Sequence, residues 1–515
     1  MAYKGALVMV FRLSIIIVSL FVLWGALQPD QLSSVANVVF DFTIAKFGWF
    51  YLLSMFGFLV FSFVLAFGKY GNFKLGSDDD DPEYSLLTWF SMLFSTGMGI
   101  GLVFWGVAEP LSHYMVPPEG LTGGTHEAAR VAMRYSFFHW GLHPWAIYTI
   151  VGLILAYHQF RKGRKGLISI TFLPLLGDRV YGPIGKSIDL LAIIATVFGV
   201  ATSLGLGALQ INGGLNALFG LATTTGTQIW IIIVMTFLFM ASALSGLDRG
   251  IKILSTANLI VAFCLLLFVF CLGPTAFILD TLTNTLGSYV QNLIGMSLRL
   301  SPFSESKWIG NWTLFYWAWW ISWTPFVGTF IARVSKGRTI KEFILGVLIV
   351  PSLLGFLWFS VFGGTGLHME LLKHIPLASA AEKDVTSVLF LLLNQLPLGQ
   401  LASGVATLLI VVFFVTSADS ATFVLGILSQ DGDPNPKAKV KLAWGVLQST
   451  IAIVLLLSGG LNGLQTASIV TSLPFAAIIV GMCFALIRCL RDEEKARRIR
   501  ERKRQRKLDE LIDDI

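Results

Sequence analysis

The chain has 515 residues, 55% of them hydrophobic and only 13% charged, with a formal net charge of +7. That composition lies far from a soluble domain. The positive excess is accounted for below by membrane topology, without nucleic acid.

Windows of about 20 apolar residues, enough to cross a bilayer, predict twelve transmembrane helices. They lie near 8–28, 48–68, 87–108, 135–159, 186–207, 228–246, 253–278, 311–333, 342–364, 399–427, 440–459 and 464–487. The first is long and no small-residue cleavage site follows it, so no cleavable signal peptide is expected. Even-numbered loops hold 17 basic residues, among them Lys69, Arg161, Lys162, Arg338 and Lys441; odd loops hold seven. Basic loops stay in the cytoplasm, so both termini are expected there. Asp78–Asp81, in the second loop, reads as a solvated surface. No loop is long enough for a soluble domain.

The third segment holds Gly97-Met98-Gly99-Ile100-Gly101. Each glycine weakens a helix by about 1 kcal/mol relative to alanine and lets a ligand approach the main chain. Gly97 and Gly101, four apart, also suit close helix packing. Gly99 fits that less well, and a locally unwound stretch is the expectation carried forward.

In the fourth segment His139 and His143 stand four apart beside Trp140; without a third ligand they read as structural. The seven histidines form no HExxH-like set. Cys264, Cys271, Cys483 and Cys489 lie in or at the end of apolar helices, with no CxxC pair, and read as packing residues. Segment 280–300 is mildly amphipathic and is placed outside, along the membrane interface or on a neighbouring subunit.

The eighth segment carries Tyr316, Trp317, Trp319, Trp320, Trp323, Phe326 and Phe330, and six of the 15 tryptophans fall between Trp308 and Trp323. Tryptophan usually sits at the headgroup level; here the indoles continue toward mid-helix. They form either an aromatic belt with ordinary packing or a box for a cation that cannot donate hydrogen bonds, a quaternary ammonium. Pro325 should free the carbonyl of Ile321 and break the helix. A broken helix opening each of two five-helix halves is the pattern of inverted-repeat transporters.

The tenth segment holds Thr416-Ser417-Ala418-Asp419-Ser420-Ala421-Thr422. Its hydroxyls either bond back to the helix or join freed carbonyls around sodium, a hard cation. Asp419, an acid in an apolar segment, is a functional candidate or pins the cytoplasmic end of the bundle. Asp-Pro-Asn-Pro at 433–436 makes a turn.

Taken together, the glycine block with Ala108-Glu109-Pro110, then His139-Trp140-Gly141, FYWAWWISWTPFVG at 315–328 and Thr416-Ser417-Ala418-Asp419-Ser420 resemble the betaine/choline/carnitine transporter family. The resemblance holds in order and spacing over nearly the whole chain. Within the family it points to the sodium-coupled glycine betaine carriers of Gram-positive bacteria.

The resemblance implies an all-α integral membrane protein of the leucine-transporter type, with no enzymatic activity and no cofactor beyond coupling sodium ions. Two leading helices (1–86) would precede an inverted five-plus-five repeat (87–487, its halves about 87–278 and 311–487) and a charged tail (488–515). It further implies a homotrimer in the bacterial plasma membrane. The trimethylammonium box would be Trp319, Trp320 and Trp323, with Trp140, Trp145 and Tyr148 beside it or along the path. Met98, Gly99 and Gly101 would take the carboxylate, and Phe330 would line the cytoplasmic route. One sodium would sit on the carbonyls of Ser95, Met98 and Phe413 with the hydroxyls of Thr416 and Ser417; a second would use Thr196, Ser203 and the ring of Phe326.

Three positions discriminate within the family. Gly101 stands where proton-coupled choline carriers place an aspartate, which favours a zwitterion. Asn258 aligns with an arginine of sodium-independent carnitine exchangers, which favours cation coupling. Val200 replaces a threonine of some relatives and leaves the second sodium site one oxygen short. The expected function is therefore sodium-driven uptake of glycine betaine; carnitine, choline or another betaine, or exchange without sodium, are the alternatives. The tail crowds 11 basic residues after Ile487. They either bind anionic lipid, at about 1 kcal/mol per base, and sense internal salt, or serve orientation and solubility.

Overall fold

A computed structural model describes residues 2–97, 99–245, 248–303 and 306–513. In chain order the helices are α1 (Ala2–Leu27), α2 (Pro29–Phe67), α3 (Leu86–Gly97), α4 (Ile100–Met115), α5 (His126–Trp140) and α6 (Leu142–Ala156). After a short α7 (Leu173–Leu176) come α8 (Pro183–Phe219), α9 (Thr225–Ser245), α10 (Asp248–Leu272), α11 (Thr275–Ser297), α12 (Phe315–Arg333) and α13 (Ile340–Lys373). The chain closes with α14 (Leu377–Lys383), α15 (Val388–Asn394), α16 (Gly399–Ser429) and α17 (Ala438–Asp513). The fold is all-α, and α4, α5, α6, α8 and α12 form its most buried part.

Nine helical runs among the described residues are long and apolar enough to cross a membrane. The twelve predicted segments map onto fewer runs for physical reasons. Segment 87–108 is cut at Gly99, whose extended backbone (φ −157°, ψ −170°) starts a new helix. The tryptophans and tyrosine of α12 lower its hydropathy over only 19 residues. The last two segments run together in α17, kinked by non-helical backbone at Gly459 and Gly460.

Several expectations are corrected. The first loop is not a loop: α2 starts at Pro29, at the N-terminal turn where proline's missing N–H costs nothing. Most of segment 280–300 lies in α11, which packs on α5 and α13 and leaves much of its length exposed; this does not contradict the outside placement. Pro325 does not break α12, and the Thr324 hydroxyl donates to the freed Ile321 carbonyl at 2.6 Å. Conversely, the predicted fourth helix is split at Gly141 (φ −95°, ψ −133°) into α5 and α6. Any Cβ there would lie 2.7 Å from the Phe356 ring. Cys264 and Cys271 are exposed on α10 rather than packed.

The second, fourth, eighth and tenth loops gather at one end of the bundle. The 68–82 loop zips onto 334–341 through a Lys74–Thr339 bridge and bonds such as Leu75 N to Arg338 O at 2.8 Å. Asp78–Asp81 is thus more than a solvated run. Asp78 pairs with Arg161 at 2.8 Å, and the Ser77 hydroxyl and amide hold the Asp80 carboxyl below the usual carboxylate range. The start of the tail docks here too. Glu493 accepts from Tyr157 at 2.5 Å, Lys162 at 2.6 Å and Arg161, and Lys69 meets Glu494 at 2.5 Å. At the opposite end Glu119 joins Arg134 at 3.2 Å, Tyr135 at 3.1 Å and Arg299 at 2.6 Å. α1, α9 and α10 bury little and expose large apolar side chains such as Phe237 and Phe263, the surface a lipid-facing helix presents.

Candidate functional site

α12 and the α5–α6 break build an aromatic cage together. Gly328 on α12 meets Val151 and Gly152 on α6, where a Cβ would lie 2.7 Å from Val151, so the two helices approach closely. That contact sets Trp320 beside Tyr148, with ring centroids 5.8 Å apart at 89°. Trp319 and Trp320 stack at 5.3 Å, and Trp140 stands edge-on to both, at 6.2 Å and 4.9 Å. Trp145 continues the row past Tyr148 at 5.6 Å, and Phe359 of α13 closes on Trp140 at 5.5 Å. The break at Gly141 leaves the Leu142 N–H free of the preceding helix, and the Tyr289 hydroxyl of α11 accepts it at 3.2 Å.

Four indole N–H groups of the predicted set are committed to protein oxygens. Trp140 donates to Glu109 at 2.8 Å, Trp319 to Ser203 at 3.1 Å, Trp320 to the His139 carbonyl at 3.1 Å and Trp323 to the Gly199 carbonyl at 2.9 Å. The cage therefore offers π faces and keeps its donors occupied. Trp319 and Trp140 are nearly fully buried, whereas Trp320 and Trp323 are half-buried.

Trp323 is set apart from this cluster. It stands one turn further along α12 and packs on Phe326 at 5.2 Å. Phe330 is exposed at 37%, toward the end of α12. Gly101, at the start of α4, faces the cage: a Cβ there would lie 2.4 Å from the Trp319 ring and 3.1 Å from Trp140. At Gly99 a Cβ would meet nothing within 4 Å. Met98 lies outside the described residues, as does the side chain of Ser95.

Two of the expected ion ligands, Thr416 and Thr196, donate to carbonyls of their own helices. The Thr416 hydroxyl bonds back to Val412 O at 2.9 Å and Phe413 O at 3.3 Å, and Thr196 to Ala192 O at 2.7 Å. Ser203 accepts from Trp319 and donates to Gly199 O at 3.4 Å, so this expected ligand touches the aromatic cage. Ser417 is half-buried beside Thr416 on α16. Asp419 accepts from Ser242 of α9 at 2.8 Å, the arrangement of a helix-pinning acid.

One cluster was not read from the sequence. Glu109 of α4 is wholly buried. Its Oε1 lies 2.7 Å from His139 Nδ1 and 3.2 Å from His113 Nε2, and its Oε2 accepts from Trp140 and, at 2.5 Å, from the Tyr316 hydroxyl. Glu109, His113 and His139 have the composition of a metal triad and bring their ligand atoms within 4.8 Å of one another. Both histidine contacts have hydrogen-bond lengths. His143 goes elsewhere, to Ser297 at 2.9 Å, with its ring stacked on Trp317. The signal was available: a glutamate inside an apolar segment meets the same criterion that singled out Asp419.

Comparison with known proteins agrees with this architecture. The model of the betaine/carnitine/choline family transporters matches residues 9–495. The chain is 52% identical to the glycine betaine transporter OpuD of Bacillus subtilis (strain 168), over 97% of this chain and 96% of that one. It is 48% identical to an ectoine/hydroxyectoine transporter of Virgibacillus pantothenticus, over 94% and 97% of the two chains. It is also 43% identical to a glycine betaine transporter of Acinetobacter baylyi, over 96% and 74%.

Proposed function

The chain belongs to the betaine/carnitine/choline transporter family, a family of carriers and not of enzymes, and from that premise we propose that it takes up glycine betaine by sodium symport as an osmoprotectant. The observation that carries the reading is the cage of Trp140, Trp319 and Trp320, whose N–H groups are all occupied. A quaternary ammonium donates no hydrogen bond and is held by ring faces, each supplying up to about 2 kcal/mol when desolvated. The glycine betaine transporters at 52% and 43% identity support this cargo. The relative named for ectoine keeps a second zwitterion, a cyclic one, in view, since it too fits an aromatic box.

In this reading Trp145, Tyr148 and Trp323 line the path, Phe330 the cytoplasmic exit, and the helix break with Met98, Gly99 and Gly101 takes the carboxylate. One sodium uses Ser95, Met98, Phe413, Thr416 and Ser417, and a second uses Thr196, Ser203 and Phe326. Thr416 and Thr196 spend only their protons on the helix carbonyls, so each hydroxyl oxygen keeps its lone pairs for an ion. The cargo carries no net charge, whereas each sodium crossing gains about 2.3 kcal/mol per 100 mV. Two ions would support accumulation of more than about a thousandfold. We place the basic end of the bundle, and with it both termini, in the bacterial cytoplasm, and take a homotrimer as the assembly. The basic tail binds anionic lipid there and links uptake to internal salt; its docking through Glu493 and Glu494 supports a coupled rather than a free tail.

The test is uptake of labelled glycine betaine by purified protein in vesicles. An inward sodium gradient should drive accumulation that collapses when sodium is replaced by potassium. Equal uptake without a gradient would favour an exchanger. Removing residues 490–515 should abolish activation by osmotic upshift while sparing basal transport, and unchanged activation would dismiss the tail's role.

A further inference from the structure

We infer that Glu109 is a buried carboxylate that charges the N–H edge of Trp140 and thereby makes the cage prefer a cationic headgroup over a neutral one of the same shape. The inference rests on the betaine reading above. Glu109 lies behind the wall of the cage and does not face its interior through any contact of its own; it acts through Trp140. Four polar groups converge on its two oxygens: Trp140 Nε1 and Tyr316 Oη on Oε2, His139 Nδ1 and His113 Nε2 on Oε1. The indole N–H and the Tyr316 hydroxyl both donate to Oε2, and each imidazole can present an N–H to Oε1. A carboxylate receives all four.

The surrounding groups leave that charge standing. From α4 comes His113, from α5 come His139 and Trp140, and from α12 comes Tyr316. Thr313, in the turn before α12, holds the far nitrogen of His139 at 3.0 Å. The His139 ring is thereby held between the Thr313 hydroxyl and Glu109 Oε1. Among the described residues no lysine or arginine pairs with Glu109.

An indole whose N–H donates to an anion gains electron density on its face, which deepens its attraction for a cation. In a water-poor interior the effect is only weakly screened. The same cluster also orients Trp320, because the carbonyl of His139 accepts its N–H. Glu109 thus ties α4 to the two helices that carry the cage, and a purely structural role would show itself equally toward any ligand.

A pair of isosteric ligands separates the two roles. Glycine betaine and 3,3-dimethylbutanoate share a carboxylate and a shape, but the second replaces the trimethylammonium with a neutral tert-butyl group. Both are titrated into the purified full-length protein, the second in competition with labelled glycine betaine. In Glu109→Gln, whose amide can still accept from Trp140, the preference for the cation should shrink about tenfold, while affinity for the neutral isostere stays within about twofold. Tyr316→Phe removes a competing donor and keeps the charge, so its preference should equal or exceed that of the unaltered protein. An unchanged preference in Glu109→Gln, a parallel loss of both ligands beside a normal Tyr316→Phe, or a tenfold fall in Tyr316→Phe would each overturn the inference. If the unaltered protein binds neither ligand, the betaine reading itself fails and takes this inference with it.

Discussion

The two elements that meet at the cage handle helix breaking in opposite ways. Between α3 and α4 the chain is interrupted at Gly99, with no proline in the interruption. In α12 a proline sits mid-helix and the helix continues, and Thr324 takes the carbonyl that Pro325 leaves without a donor. A proline therefore need not break a helix, and in α12 a neighbouring hydroxyl satisfies the carbonyl it frees. The broken element can offer backbone groups to a ligand; the unbroken one offers a rigid ladder of rings.

Three substitutions sharpen that contrast, in falling order of effect. Gly101→Val puts branched carbons where even a Cβ lies 2.4 Å from the buried Trp319 ring. Overpacking of this kind costs about 1–3 kcal/mol, so affinity for glycine betaine should drop by as much as about a hundredfold. Thr324→Val leaves the Ile321 carbonyl without its donor; loss of about 1–2 kcal/mol should appear as a lowered melting temperature of the purified protein, with affinity little changed. Gly99→Ala should barely register in the same binding assay, with less than about a twofold change, because its extended backbone suits any residue and its Cβ would point into open space. A large loss there, matching that at Gly101, would show that the carboxylate needs the space an alanine Cβ would fill.

Much of the cage was legible because tryptophan is rare and six of the 15 fall within 16 residues of chain. Their helical spacing put Trp319 and Trp320 on one element, and His139-Trp140-Gly141 supplied the third ring. Less visible was that Gly141 splits its helix, since a single glycine in an apolar run is compatible with an intact one. The start of α2 was hidden because Asp30, Gln31 and Asp41 interrupt the apolar pattern, although helix propensity tolerates them once the helix packs. The Glu109 cluster was the hardest to see. His113 stands one turn away, but His139, Trp140 and Tyr316 arrive from 30, 31 and 207 residues along the chain. A hydroxyl's allegiance is likewise invisible in sequence: Thr416 reads equally as an ion ligand and as the partner of its own helix carbonyls.

The most direct test is calorimetric titration of glycine betaine, in sodium, into the purified protein and into Trp320→Leu. Saturable binding to the first that vanishes in the second is the predicted outcome, because Trp320 contacts Trp140, Trp319 and Tyr148 and removing it opens the middle of the cage. Equal binding by both proteins would contradict the claim that these rings hold the quaternary nitrogen.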